Sequence, residues 1–187
     1  MMTDSANATR RAEDRLAALL DKQDCADVVH RMARAIDRCD GDLVGELFHP
    51  DATDDHGGYK GSAKDFVPWV MEVLSTMTRT QHVIGNILIE LDGDHARGES
   101  YFIAHHTIPG EDGSDTFMIA AGRYLDRFER RDGVWKLSHR GAVYDWSSAA
   151  PSSDIWDRPA MEGYSFGNRG QTDPSYAHLR EVSPEAY

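Results

Sequence analysis

Cysteine is nearly absent from this chain: among 187 residues only Cys25 and Cys39 carry thiols. If one helix carries both, they stand roughly 20 Å apart along its axis, too far for a disulfide. Two reduced thiols and a cytoplasmic home are therefore expected. Long apolar runs are missing as well. No stretch approaches the ~20 residues of a membrane span. The N-terminal MMTDSANATRRAEDR also has no apolar core of the kind a secretory leader carries, so no membrane association is expected. Basic residues are outnumbered, 20 Lys and Arg against 32 Asp and Glu, for a net charge of -12. That balance argues against nucleic acid or an anionic bilayer as a partner, because phosphates would be repelled.

What is present divides into a helical first half and a strand-rich second half. The length suits one domain with trimmings. Residues 1–8 read as a frayed start, and a helical pattern runs from Thr9 to a charged break at DKQD. Residues 24–39 form an amphipathic helix with Cys25, Val29, Met32, Ala33 and Ile36 as its stripe, while Asp27, Arg31, Arg34 and Arg38 face away. GDLVGELF is a short helix stopped by Pro50, and HPDATDDHGGYKG reads as an irregular strand and turn. Ser62 N-caps a further helix through FVPWVMEVLSTM, with Pro68 inside it.

From Thr80 the apolar period changes to that of strands. TQHVIGNILIEL, HARGESYFIAHHT, TFMIAAGRYLDRFER and VWKLSHRGAVYDW are four long strands separated by turn signals, an antiparallel meander. The expected fold class is α+β: N-terminal helices packed on a strongly curved antiparallel sheet, a cone enclosing a pocket. The tail from Ser147 is rich in Pro, Ser, Gly and Asp, with Trp156, Tyr164, Phe166 and Tyr176 scattered along it. It reads as an arm over the body or a neighbouring subunit.

Two polar residues sit in apolar company. Asp37 lies at the edge of the helical stripe, next to Ala33, and His82 opens the first long strand. A helix-end carboxylate and a strand-start imidazole can meet at the mouth of the cone. Histidine titrates near neutrality, which suits it to accept a proton. An adjacent carboxylate fixes the ring tautomer and stabilises the imidazolium that forms. The alternative is a buried ion pair that clips helix to sheet.

The runs LLDKQDCADVVHRMARAIDRCDGDLVGELFHPDA, GGYKGSAKDF, TQHVIGNILIEL, GRYLDRFERRDGVWKLSHR and YDW resemble, in order, the SnoaL-like group of the nuclear-transport-factor-2-like superfamily. Within it the similarity leans toward hexachlorocyclohexane dehydrochlorinases and related dehydratases. The resemblance covers residues 15–147, leaving 1–14 as a flexible N-terminus and 148–187 as the C-terminal arm. It implies a lyase with His82 as general base, Asp37 as its orienting partner and Arg140 stabilising departing charge. It also implies no cofactor and a homotrimer with one cavity per subunit, and no HxH or HExxH pattern in the chain points to a metal. The chain departs from its relatives at Met32, where they place Lys or Tyr, and at Thr80, where the dehydrochlorinase has cysteine. Substrate and leaving group therefore do not carry over.

The remaining candidates line the expected pocket: Met32, Tyr59, Trp69, Tyr101, His105 and Tyr144. Tyr101, Ile103 and His105 share one strand face, so His105 rather than His106 is expected to look inward. By parity Arg140 groups with Ser138, Ala142 and Tyr144, opposite Trp135, Leu137 and Val143, and either face can line the cavity. Phe66, Trp69 and Met71 are candidates for its roof or for ordinary core. His56 beside Asp54 and Asp55 suggests a metal, but a polar loop is the safer reading. The expected substrate is a small, largely apolar cyclic or aromatic molecule losing water, halide or formaldehyde. An isomerase or polyketide-type cyclase, and a non-catalytic binding or assembly domain, are the other classes the same fold admits.

Overall fold

The computed structural model describes residues 2–154 and 161–182; Trp156 lies outside them. Helix α1 (Met2–Arg38) runs without interruption, so neither the frayed start nor the break at DKQD is found. That segment holds no Gly or Pro, and its residues are tolerated in a helix interior. Asp21 is moreover held in place from the sheet, accepting from Trp135 Nε1 at 2.9 Å and Arg130 Nη1 at 2.7 Å. The stripe of Cys25, Val29 and Met32 is buried as expected, and both cysteines are free thiols. Cys39 adopts a φ of 52° and ends the helix. Asp40 then caps α2 (Gly41–Glu46), its side chain accepting from the Leu43 N–H.

Strands β1 (Phe48–Asp55) and β2 (Lys60–Ser62) precede α3 (Ala63–Ser75), whose N-cap is Ser62. The Ser62 hydroxyl accepts from the Asp65 N–H at 3.1 Å and donates to the Asp65 carboxylate. The four long strands follow as β3 (Arg79–Asp92), β4 (His95–Pro109), β5 (Asp115–Arg131) and β6 (Val134–Pro151). Among the described residues all six strands form one sheet in the order β2-β1-β6-β5-β4-β3. The meander is antiparallel as expected, but β1 joins β6 in parallel, so the sheet is mixed. A long connection is what a parallel neighbour requires, and the chain between β1 and β6 supplies it.

The sheet curls at breaks in its register, between Ile84 and Ile87 in β3 and twice along the β5–β6 ladder. Each bulge bends its strand and shifts the side-chain alternation by one. Gly122 sits at one of them, where a Cβ would meet the Val143 carbonyl oxygen at 2.0 Å. The larger core lies between α1, α3 and the inner sheet face, around Val29, Met32, Phe66, Phe128 and Leu137.

The C-terminal arm packs on its own chain. A 3-10 turn (Gly170–Thr172) leads into α4 (Pro174–Arg180), which docks on the α1 face that reads as solvated in the sequence. Arg34 stacks over the buried Tyr176 ring at 4.2 Å, Arg38 pairs with Asp173 at 2.6 Å, and the Tyr176 hydroxyl donates to Asp40 at 2.5 Å. Burial works against the Asp173 charge. Bonds from Ser175, from the Asn168 and Ser175 backbone and from Arg38 nevertheless hold its carboxyl well below the usual range. Because the folded pKa is depressed, the share of the docking that Asp173 supplies is complete above about pH 4 and is lost as pH falls from there through the folded value. Tyr176→Ala should remove about 3 kcal/mol of docking. It should make residues 161–182 far more sensitive to limited proteolysis at neutral pH, and the wild type should show the same sensitivity only in acid.

Candidate active site

Asp37 occupies the last turn of α1, where a negative charge faces the unpaired carbonyls and gains nothing from the helix dipole. It is held there by β3. Asp37 Oδ1 lies 2.7 Å from His82 Nδ1, and Oδ2 accepts the His82 backbone N–H at 2.8 Å. Both side chains are about nine-tenths buried, at 9% and 10% exposed. One carboxylate thus fixes the position of β3 and the orientation of the ring on it. With Nδ1 committed, Nε2 points away from Asp37 and makes no hydrogen bond among the described residues.

His82 opens on a cavity of about 230 Å³ between α1, α3 and the inner sheet face. Of the residues named from sequence, Met32, Trp69, Arg140 and Tyr144 line it. Tyr59 does not: its hydroxyl donates to the Ser62 carbonyl and its ring packs behind Phe66 and Trp69. Tyr101 and His105 do not either. Their face of β4 is the outer one, and the cavity wall is formed by Phe102, Ala104 and His106. The signal was available in the same strand, since Arg97 and Glu99 share parity with Tyr101 and His105. Phe66 joins Trp69 in the lining, whereas Met71 packs into the core.

The two groupings expected for the last strand are redistributed: Trp135 and Leu137 of one join Arg140, Ala142 and Tyr144 of the other on the inner side, while Val143 stands exposed on the outer face. Arg127 pairs with His139 but Phe128 with Leu137, so Ser138 is bulged out. Trp135 and Leu137 before it, and Arg140 and Ala142 after it, consequently project to the same side. Arg140 is buried and not free: Nε and Nη2 fork onto both oxygens of Asp126, at 2.8 and 2.7 Å. Its guanidinium lies 4.1 Å over the Tyr124 ring. Burial opposes its charge, and Asp126 more than restores it, raising the pKa.

Three cavity residues escape a reading by motif. Tyr124 is enclosed, and burial raises its phenol well above the ordinary range. His106 meets His82 edge-on, with ring centroids 5.8 Å apart, and its buried Nδ1 has no partner among the described residues. Burial above all pushes the His106 imidazole down to about 4. His56 is the third. It opens the turn between β1 and β2, as expected, but it is not solvated: it pairs with Asp54, which is enclosed at 1% exposed, and lines the cavity. Among the described residues no cluster of three or more His, Cys, Asp or Glu is arranged for a metal ion, and no helix is long and apolar enough to cross a membrane.

The match that decides the family is to the SnoaL-like domain, over residues 17–141. This chain belongs to the SnoaL-like family. Among solved structures the SnoaL-like chain is similar to a protein of Kribbella flavida, with a TM-score of 0.64 and 20% identity over 70% of this chain and 95% of that one. A candidate scytalone dehydratase from Novosphingobium aromaticivorans gives 0.63 and 18%, over 70% of this chain and 88% of that one. A type 2 hexachlorocyclohexane dehydrochlorinase gives 0.64 and 22%, over 80% and 99%. At such identities the likeness is one of fold. No curated protein matches.

The electrostatics of the SnoaL-like site yield one direct expectation. In histidine-ring NMR, His106 should titrate with a midpoint about 4 and stay neutral throughout pH 6–8; protonation near pH 6.5 would contradict the burial argument.

Proposed function

We propose that this chain is a cofactor-independent lyase in which His82 abstracts a carbon-bound proton and a β leaving group departs. The observation that supports this most is the two-point clamp of Asp37 on His82. A carboxylate that takes both the ring and the backbone N–H of one histidine leaves Nε2 as the acceptor, aimed at an enclosed, largely apolar cavity. As His82 gains a proton, Asp37 stabilises the imidazolium. The cavity volume of about 230 Å³ lies below the range of drug-sized sites, and Phe66, Trp69, Phe102 and Met77 line much of it. A small apolar, cyclic or aromatic substrate fits that lining. Arg140 contributes a fixed cationic edge, tempered by Asp126. Two free thiols fit a reducing, cytoplasmic setting.

The outer sheet face, where Val83, Tyr101, Ile103, Leu125 and Val143 stand exposed, supports assembly as a homotrimer. Sedimentation equilibrium should give a trimer mass, lowered by Ile103→Asp; a wild-type monomer would overturn the assembly.

Activity is tested by screening apolar alcohols, halides and diaryl compounds with mass spectrometry for the lost fragment. An isomerase using the same base would return a product of unchanged mass. His82→Ala should abolish turnover with the circular dichroism spectrum intact. Asp37→Asn should lower kcat by about 10²- to 10⁴-fold. Full turnover by His82→Ala would sink the base assignment.

A further inference from the structure

A second carboxylate–imidazole pair reaches the same cavity through its imidazole, His56, and has no part in the proton abstraction assigned to His82. Asp54 Oδ1 lies 2.5 Å from His56 Nδ1. The His56 ring stacks on Phe66 with centroids 4.9 Å apart and tilts against Tyr124. Its backbone is fixed as well, the N–H donating to the Tyr59 carbonyl and the carbonyl accepting from Gly58. With Nδ1 committed to Asp54, Nε2 makes no hydrogen bond among the described residues, and the ring lines the cavity.

The charges around this pair do not balance without it. Asp54 on β1 is the register partner of Arg140 on β6, and Arg140 that of Asp126 on β5. One buried guanidinium therefore serves a row that holds two buried carboxylates. Arg140 spends Nε and Nη2 on Asp126, while Asp54 Oδ2 is buried with no partner among the described residues. Ionised Asp54, Asp126 and Arg140 sum to one net negative charge, which is costly to enclose unless a neighbouring cation offsets it. His56 is within hydrogen-bond distance of Asp54 and supplies that cation when it holds a second proton. His106 cannot, because burial above all pushes it down to about 4.

We propose that His56 is the general acid of this site, kept as an imidazolium by Asp54, and that it donates its Nε2 proton to an oxygen leaving group while His82 takes the carbon-bound proton. The inference rests on the lyase reading and narrows it. The substrate class is a small apolar alcohol with its hydroxyl β to an acidic C–H, not an organohalide. Halide leaves as a stable anion and needs no proton, whereas hydroxide departs poorly unless protonated. The C–H electron pair becomes the new C=C bond as its proton passes to His82 Nε2. The C–O bond breaks with its pair on oxygen, which takes the His56 proton and leaves as water. His82 ends one proton richer and His56 one poorer. Exchange with water at the mouth, beside Tyr144 at 53% exposed, resets both. Asp54 is a positioning residue.

Nitrogen-15 NMR of the histidine rings in the wild-type protein at pH 7 reads the resting proton states. His56 should show both ring nitrogens protonated, and Asp54→Asn should convert it to a neutral ring. A neutral His56 in the wild type overturns the proposal. The chemistry is read with 4-hydroxy-4-phenylbutan-2-one and its 4-chloro analogue, which give the same enone and differ only in what leaves. After subtraction of spontaneous loss, His56→Gln should slow release of water by about 100-fold and release of chloride by less than about threefold. Equal slowing of both means a structural role and also overturns the proposal. Undiminished turnover by His82→Gln would instead sink the lyase reading while the NMR result on His56 stands.

Discussion

The Asp37 carboxylate binds His82 twice, through the ring at 2.7 Å and through the backbone N–H at 2.8 Å. The second bond matters as much as the first. A ring alone can swing about its side-chain torsions, but a backbone N–H moves only with its strand. The carboxylate therefore ties the end of α1 to the start of β3, an edge strand of the sheet. It fixes the strand's height against the helix and the plane of the imidazole together. The rest of the site depends on that tie: His106 on β4 is paired by register near β3, and the cavity wall of Phe102, Ala104 and His106 follows from it. The charge sits where the helix dipole disfavours it, so local helix stability does not account for its placement, while the bond across to the sheet does.

The curl of the sheet brings a second pair to the same cavity. β1 and β3 are separated by three strands, and His56 and His82 nonetheless share one cavity. Their surroundings differ in a way that separates their chemistry. Asp37 faces a single imidazole, so a neutral His82 leaves Nε2 as an acceptor. Asp54 faces an imidazole in a row that already holds Asp126 and one guanidinium, where an extra proton offsets charge. Arg140 looks from sequence like the cation that meets the leaving group. In the fold it is forked onto Asp126, so the cationic edge it turns to the cavity is already tempered. Two groups of the same type, placed in environments of different net charge, are the arrangement from which acid and base roles arise.

Much of this was legible in the chain, and the failures have definite causes. Asp37 and His82 stand out because a charge beside an apolar helical stripe and an imidazole at a strand start both need a partner. The hairpins read correctly because their turns are short and their strands long. Around Arg140 the chain is harder to read: the bulge at Ser138 resets the alternation, bringing Trp135 and Leu137 to its side, and its partner Asp126 looks like one more charge in the run RYLDRFER. Tyr101 and His105 are misplaced by one residue of parity, which sends a whole strand face outward. Asp54 and His56 hide in a segment dense with Asp, Gly and His. Only the parallel pairing of β1 with β6 makes that segment an inner strand, and no local pattern announces a partner so distant in sequence.

The arm adds a constraint that links the helix's outer face to its inner one. Arg34 and Arg38 lie on the turns that flank Ala33 and Asp37, and they are covered by Tyr176 and Asp173. On the far side of the dyad a cleft of about 450 Å³ is bordered by Asp37, Arg38, His82 and Asp173. Arg38, satisfied by Asp173 and by the Asn168 carbonyl, is turned outward. Docking of the arm thus occupies the arginines of that helix face, and its solvated look in the sequence conceals a covered surface that runs up to the Asp37–His82 pair.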